Sequence, residues 1–286
     1  MNNNHKLQEI LVGLALSGGA IRGAAHIGIL KTLLENKIRI DAISGTSAGA
    51  MVAALLAFDV SIEKMAELIS NMNWYRISNF AIPKLGLLSN AELGDHYIQL
   101  LGDVNIEDAN IPLSIVATDI STGEKVVLQR GNLAMAIRAS AAVPGMYRPV
   151  EFDGRLLVDG MLVENTPISP LEEMGVPCIL ASHLSADRNY IKPDSLIDVM
   201  INAFEIAIDS NNQHHLQKAD FVIAPDLSQF SRTNPDNIPA LIEAGARDTR
   251  RVIADIKKLV ESTYRRHSSN PLLFVPQWIE DKLGEK

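Results

Sequence analysis

Ile40-Asp41-Ala42-Ile43-Ser44-Gly45-Thr46-Ser47-Ala48-Gly49-Ala50-Met51 is the stretch on which the reading of this chain turns. An alternating β-branched run feeds Gly-x-Ser-x-Gly, and an apolar helical pattern from Ala48 to Phe58 follows at once. A strand that becomes a helix within about two residues forces an unusual φ/ψ on the residue at the apex. Gly45 and Gly49 remove Cβ atoms that would collide there, which lifts the Ser47 side chain clear of its neighbours. Its hydroxyl then lies near a helix N-terminus, where backbone N–H groups and the helix dipole favour developing negative charge. The same letters also fit a plain strand-to-helix turn with a capping serine, so the surroundings have to decide.

Upstream, Ile10 to Leu16 alternates apolar and small residues and predicts a buried strand. Ser17-Gly18-Gly19-Ala20-Ile21-Arg22-Gly23 follows and leads into a helix over about Ala24 to Asn36, with Ile27, Leu30, Leu33 and Leu34 on one face. A second strand is predicted over about Ile38 to Ile43. Strand, helix, strand, helix in this order is the signature of a parallel sheet with helical crossovers. Downstream, Ser61 to Met72 reads as a helix, and Asn73 to Leu88 is an irregular apolar stretch (Trp74, Tyr75, Phe80), either a substrate lid or a loop packed on the core. Ser89-Asn90-Ala91-Glu92 fits a capping box opening a helix to Leu101.

Further strands are expected over Pro112 to Asp119, Lys125 to Gln129, Val176 to Ser182 and Ala219 to Pro225, with a helix over Leu133 to Ser140. Val150 to Val158 reads as a hairpin turning at Asp153-Gly154, and Asp159-Gly160 closes its second strand. Amphipathic stretches over about Ser195 to Gln217 and Asn237 to Tyr264 follow, then an apolar tail, Pro271 to Trp278, suited to docking on the body. No linker-like shift in composition divides the 286 residues. A single α/β domain spanning 1–286 is expected, with core motifs within about 12–167 and a helical C-terminal part over about 195–286.

The apolar fraction of 47% supports a large buried core, and the net charge of −8 carries no long basic run. Nucleic-acid binding, which needs clustered Lys and Arg against phosphate, is therefore not expected. Cys178 is the single cysteine, set in the apolar Val176-Pro177-Cys178-Ile179-Leu180, so it reads as a core thiol, with no disulfide and no cysteine metal site. No apolar run reaches the roughly 20 residues of a membrane span. Met1 to Lys6 precede a short apolar stretch interrupted by Gln8 and Glu9, a poor match to a secretory leader. A cytoplasmic protein is the expectation, with peripheral membrane contact allowed by the apolar loop and tail. Those two segments also leave the oligomeric state open.

Three elements converge at the C-terminal edge of such a sheet: Ser47, the Gly18-Gly19-Ala20 loop with its consecutive N–H groups, and an acidic strand end, best met by Asp159. Acyl transfer needs a nucleophile, a base and donors for the oxyanion. A strand-end aspartate can serve as base without histidine if desolvation raises its pKa from about 3.9. Two rivals stay open. A Ser–His–Asp triad would draw on His183, just after a late strand, since His214 and His215 fall in a helix, His26 behind the glycine loop and His96 on a polar face. A dinucleotide site would use the glycine loop, Arg22 for phosphate and Asp41 as the acidic residue, at roughly the right separation but at the start of the apolar Ala42-Ile43 run instead of its end.

Leu16-Ser17-Gly18-Gly19-Ala20-Ile21-Arg22-Gly23, Gly45-Thr46-Ser47-Ala48-Gly49, Ala139-Ser140-Ala141-Ala142-Val143-Pro144 and Asp159-Gly160 together resemble the patatin-like phospholipase family, in the bacterial branch related to the catalytic domain of neuropathy target esterase. The resemblance implies a three-layer α/β/α fold with a mainly parallel central sheet and a Ser–Asp dyad that hydrolyses lipid esters with no metal or other cofactor. By position it implies Ser47 as nucleophile, Asp159 as base, and an oxyanion and substrate loop of Gly18, Gly19, Ala20, Arg22 and Gly23, with Arg22 helping to hold the loop. Ala20 stands where many members have a third glycine, which a methyl tolerates at negative φ. Met161 stands where glycine or alanine is usual, a bulk expected to narrow the pocket or shift the carboxylate. The expected partner is a lipid or acyl ester. A catalytically weak lipid-binding or regulatory protein is the alternative reading.

Overall fold

The computed structural model describes residues 11–71, 88–185, 199, 202–204, 206–208, 214–230 and 234–267. The apolar stretch Asn73 to Leu87 and the tail Pro271 to Trp278 lie outside the described residues, as does much of the amphipathic stretch Ser195 to Gln217.

Along the chain, β1 (Val12–Leu16) leads through a tight turn (Ala20–Ala24) into α1 (Ala25–Glu35), and β2 (Ala42–Thr46) leads into α2 (Ala48–Ala57) and α3 (Ile62–Asn71). Then come α4 (Ala91–Leu101), β3 (Leu113–Asp119), β4 (Lys125–Leu128), α5 (Leu133–Ser140), the hairpin β5 (Val150–Phe152) and β6 (Arg155–Asp159), and the short α6 (Met161–Glu164) and α7 (Ser169–Glu173). β7 (Cys178–Ser182), β8 (Phe221–Ile223) and the long α8 (Ile238–His267) complete the described elements.

The eight strands form one sheet linked in the order β5-β6-β3-β2-β1-β7-β8, with β4 also paired to β3. β1, β2, β3, β7 and β8 run parallel, and β4, β5 and β6 pair antiparallel. Both faces are covered. Val12, Leu14 and Leu16 of β1 point into a large cluster shared with α1, α2 and α8, while Ala15 points into a smaller one with Ala42, Ala181 and Leu171 of α7. Helices on both faces of a mostly parallel sheet make a three-layer α/β/α arrangement, as the crossover pattern requires.

One register detail positions everything that follows. β4 lies along Ile115 to Thr118 of β3. Since a strand has two edges, the partners that overlap this pairing must share the other one. β2 takes Leu113 to Val116 and β6 takes Ala117 to Asp119. The C-terminal end of β2 therefore meets the C-terminal end of β6 along β3.

Two expectations are corrected. β2 occupies Ala42–Thr46 rather than Ile38 to Ile43. Ile38 and Ile40 are buried but precede the strand, because the Asp41 carboxylate accepts from the Leu11 and Val12 N–H groups, both at 3.0 Å, and pairs with Arg39. The capping box at Ser89 does not form: Asn90 is the N-cap, and its amide instead donates to the Arg138 carbonyl at 2.7 Å. The hairpin turn is as read, with Asp153 (φ 52°) and Gly154 (φ 72°) both left-handed.

Candidate active site

Ser47 sits between β2 and α2 at φ 53°, ψ −122°, a conformation that costs of order 1–3 kcal/mol for a residue with a side chain and persists when its surroundings enforce it. The enforcement is visible. A Cβ on Gly45 would lie 2.5 Å from the Ala50 backbone, and one on Gly49 would lie 2.1 Å from the Leu16 carbonyl oxygen. The two glycines thus let α2 press onto β2 and β1. The Ser47 N–H donates to Ser140 Oγ at 2.8 Å, and that hydroxyl donates to the Val116 carbonyl at 2.7 Å. Thr46, one residue earlier, donates through Oγ1 to the Glu164 carbonyl at 2.9 Å. The buried Glu164 carboxylate is itself paired with Lys125 at 2.9 Å.

The Ser47 hydroxyl donates to Asp159 Oδ2 at 2.6 Å. Asp159 comes from the tip of β6, 112 residues away, delivered by the end-to-end meeting of β6 and β2 on β3. Its other oxygen accepts from the Met161 N–H at 2.9 Å, and Thr118 Oγ1 donates to its carbonyl at 2.9 Å. The carboxyl is fully buried, and burial pushes its pKa up to about 7 against the lowering effect of the Ser47 and Met161 hydrogen bonds. The bulk of Met161 has not drawn the carboxylate away from the serine. A hydroxyl hydrogen-bonded to a carboxylate of near-neutral pKa is an arrangement suited to proton transfer at neutral pH.

The glycine loop lies against this pair. A Cβ on Gly18 would be 2.5 Å from Asn165 Oδ1 and 3.2 Å from the Ser47 Cβ, so only glycine lets the loop come this close. The Gly18 N–H donates to the Asn165 carbonyl at 3.1 Å. The Gly19 and Ala20 amides have no acceptor among the described residues. Ala20 stands at φ 49°, not at the negative φ that its methyl prefers, which corrects the expectation above. The Arg22 guanidinium donates to the Phe230 carbonyl from Nε at 3.2 Å and from an Nη at 2.9 Å. Gly23 meets α2 instead, where a Cβ would lie 2.5 Å from that of Ala48.

The rival readings separate on geometry. The Ser47 hydrogen is committed to Asp159, while His183 Nδ1 lies 3.4 Å from Thr166 Oγ1. His214 is exposed, whereas His215 lies half-buried 3.6 Å from Glu164 Oε1. Asp41 holds the N-terminal end of β1, the end of the strand remote from the glycine loop, where a ribose would be out of reach. Cys178 is buried, and desolvation raises its thiol to about 12. Sequence reasoning missed Ser140 and Asn165. Ser140 lay within a quoted block, but its partners at Val116 and Ser47 are 24 and 93 residues away, beyond any local pattern.

Among the described residues no helix is long and apolar enough to cross a membrane, and no group of three or more His, Cys, Asp or Glu is placed to hold a metal ion. An uncharacterised NTE family protein of Mycobacterium bovis is 37% identical over 179 residues, which cover 62% of this chain and 50% of that protein. The chain thus spans about half the length of this curated relative. Lysophospholipase NTE1 of Candida glabrata is 33% identical over 190 residues, 63% of this chain and 11% of the yeast protein. The crystal structure of VipD from Legionella pneumophila superposes with a TM-score of 0.50 at 16% identity, covering 89% of this chain and 67% of that one, a likeness of fold. The patatin-like phospholipase model matches residues 14–172, a span that holds the glycine loop, the elbow and Asp159. With more than half of its length matched in this way, the chain belongs to the patatin-like phospholipase family.

Proposed function

We propose that this protein is a serine hydrolase that cleaves carboxylic ester bonds of lipids, of the phospholipase A, lysophospholipase or esterase type, with Ser47 as nucleophile and Asp159 as its base. The observation that carries the reading is the 2.6 Å hydrogen bond from Ser47 Oγ to a buried carboxylate of pKa about 7. Membership of the family supports the substrate class.

In this mechanism Ser47 Oγ attacks the ester carbonyl carbon as its proton passes to Asp159 Oδ2. The carbonyl oxygen gathers charge beside the Gly19 and Ala20 amides, and each such donor is worth roughly 10²- to 10³-fold in rate. The tetrahedral species collapses, the C–O bond to the alcohol breaks, and the alcohol takes the proton from Asp159. Water then attacks the acyl-serine, giving its proton to Asp159, which returns it to Ser47 as the fatty acid leaves. Gly18 and Arg22 hold the loop through their hydrogen bonds to the Asn165 and Phe230 carbonyls.

A fluorophosphonate probe should label Ser47, and Ser47→Ala should lose both labelling and turnover of a short-chain ester and of a lysophospholipid. Ester hydrolysis that survives Ser47→Ala, or labelling mapped to another residue, would overturn the reading.

A further inference from the structure

We propose that His26 is a positioning residue of the oxyanion loop: its Nε2–H holds the Ser17 carbonyl and so sets the plane of the Ser17–Gly18 peptide from which the next amides are presented. The inference rests on the hydrolase reading above and adds to it a residue that touches neither substrate nor the reacting atoms.

His26 lies in the first turn of α1 and is fully buried. Its Nε2 is 2.8 Å from the Ser17 carbonyl oxygen, and its Nδ1 is 2.9 Å from Ser182 Oγ. A carbonyl oxygen can only accept, so the hydrogen of the neutral ring sits on Nε2, and Nδ1 accepts from the Ser182 hydroxyl. Burial lowers the ring pKa to about 4, which keeps it in this neutral form. The N–H of the same peptide, on Gly18, donates to the Asn165 carbonyl at 3.1 Å. In a trans peptide the C=O and N–H point in opposite directions, so this unit is held from two sides and cannot rotate. Ser17 is fixed further: its N–H donates to the Ser182 carbonyl at 3.1 Å, and its Oγ accepts from the Leu184 N–H at 3.1 Å. Immediately after this clamp the chain presents Gly19 and Ala20, next to Gly18, whose added Cβ would lie 3.2 Å from the Ser47 Cβ. Without a donor at Nε2 the peptide plane is free to tilt, and a misplacement of about 1 Å at a reacting centre costs on the order of 100-fold.

The test uses the full chain and two substitutions. Gln places an N–H close to the position of Nε2, whereas Leu keeps the volume and supplies no donor. His26→Leu should lower kcat for a short-chain ester at least about 10-fold with KM within about 2-fold, and His26→Gln should recover most of that loss. Equal kcat for wild type and a folded His26→Leu would overturn the proposal. So would a folded His26→Gln as slow as His26→Leu, because the loss would then follow shape rather than the donor. Should either variant fail to fold, ¹⁵N spectra of the wild-type imidazole decide the contact: the hydrogen belongs on Nε2 at neutral pH, and an Nδ1–H ring would overturn it. A wild type that neither turns over ester nor takes the fluorophosphonate would sink the hydrolase reading instead, a result separate from the state of this ring.

Discussion

A carboxylate buried at the tip of a strand has to be deprotonated before it can take a proton from serine. With the Asp159 pKa raised to about 7 by desolvation, the acid form dominates below neutrality. We therefore expect kcat/KM for a neutral ester to fall about tenfold per pH unit below about pH 7 and to level off above it. An acidic limb centred at pH 5 or lower would show that burial does not hold this group up. At this scale the sequence was informative where position follows from residue pattern: it put Ser47 at a strand-to-helix bend and Asp159 at a strand end, and the two lie in hydrogen-bond contact at 2.6 Å. It was silent where a dihedral decides. Nothing in Gly19-Ala20-Ile21 announces that Ala20 must sit at φ 49°, since that angle is imposed by the clamp on Ser17 and Gly18 and by the turn that starts at Gly19. Nor does Arg22 reveal its acceptor, the carbonyl of Phe230, which lies 208 residues on.

The glycine loop leads directly into α1, and α1 is fixed by α8. These helices approach closely enough that a Cβ on Gly28 would lie 1.8 Å from the Ile242 carbonyl oxygen, and one on Gly245 would lie 2.1 Å from that of Ala25. Thr32 Oγ1 also reaches the Ala246 carbonyl at 3.3 Å. We expect Gly28→Ala to force the helices apart and destabilise the fold by about 3 kcal/mol, read as a lowered urea midpoint, with activity falling as α1 drags the loop. An unchanged midpoint would mean the helices are not in this contact. Helix and strand existence was legible, because hydrophobic periodicity is a local signal. Boundaries were less so. β2 begins later than the apolar run suggests, since the Asp41 carboxylate occupies the Leu11 and Val12 amides just ahead of the ladder. The pairing of α1 with α8 was not legible either, because it depends on small residues more than 200 positions apart.

Across the whole molecule two buried titratable groups pull stability in opposite directions. His26 has its pKa lowered to about 4, so between pH 4 and 6.5 the unfolded chain binds the extra proton and stability rises with pH. Asp159 has its pKa raised from 3.8 to about 7, so over that interval the native state binds the extra proton and stability falls with pH. Each is worth up to about 3–4 kcal/mol at 1.36 kcal/mol per pKa unit, so they largely cancel in the wild type. Asp159→Asn removes one of them. Its advantage over wild type in denaturant unfolding should widen from pH 5 to pH 8, by about 2.6 kcal/mol, while activity is lost. A gap equal at both pH values would contradict this. The end-to-end junction of β2 and β6 has a consequence of its own for the timing of synthesis. The serine leaves the ribosome long before the strand that brings its carboxylate, so a nascent or truncated chain ending ahead of Asp159 carries Ser47 without its hydrogen-bond partner. On the mechanism proposed above such a fragment lacks its base, so turnover is expected only once the sheet is closed.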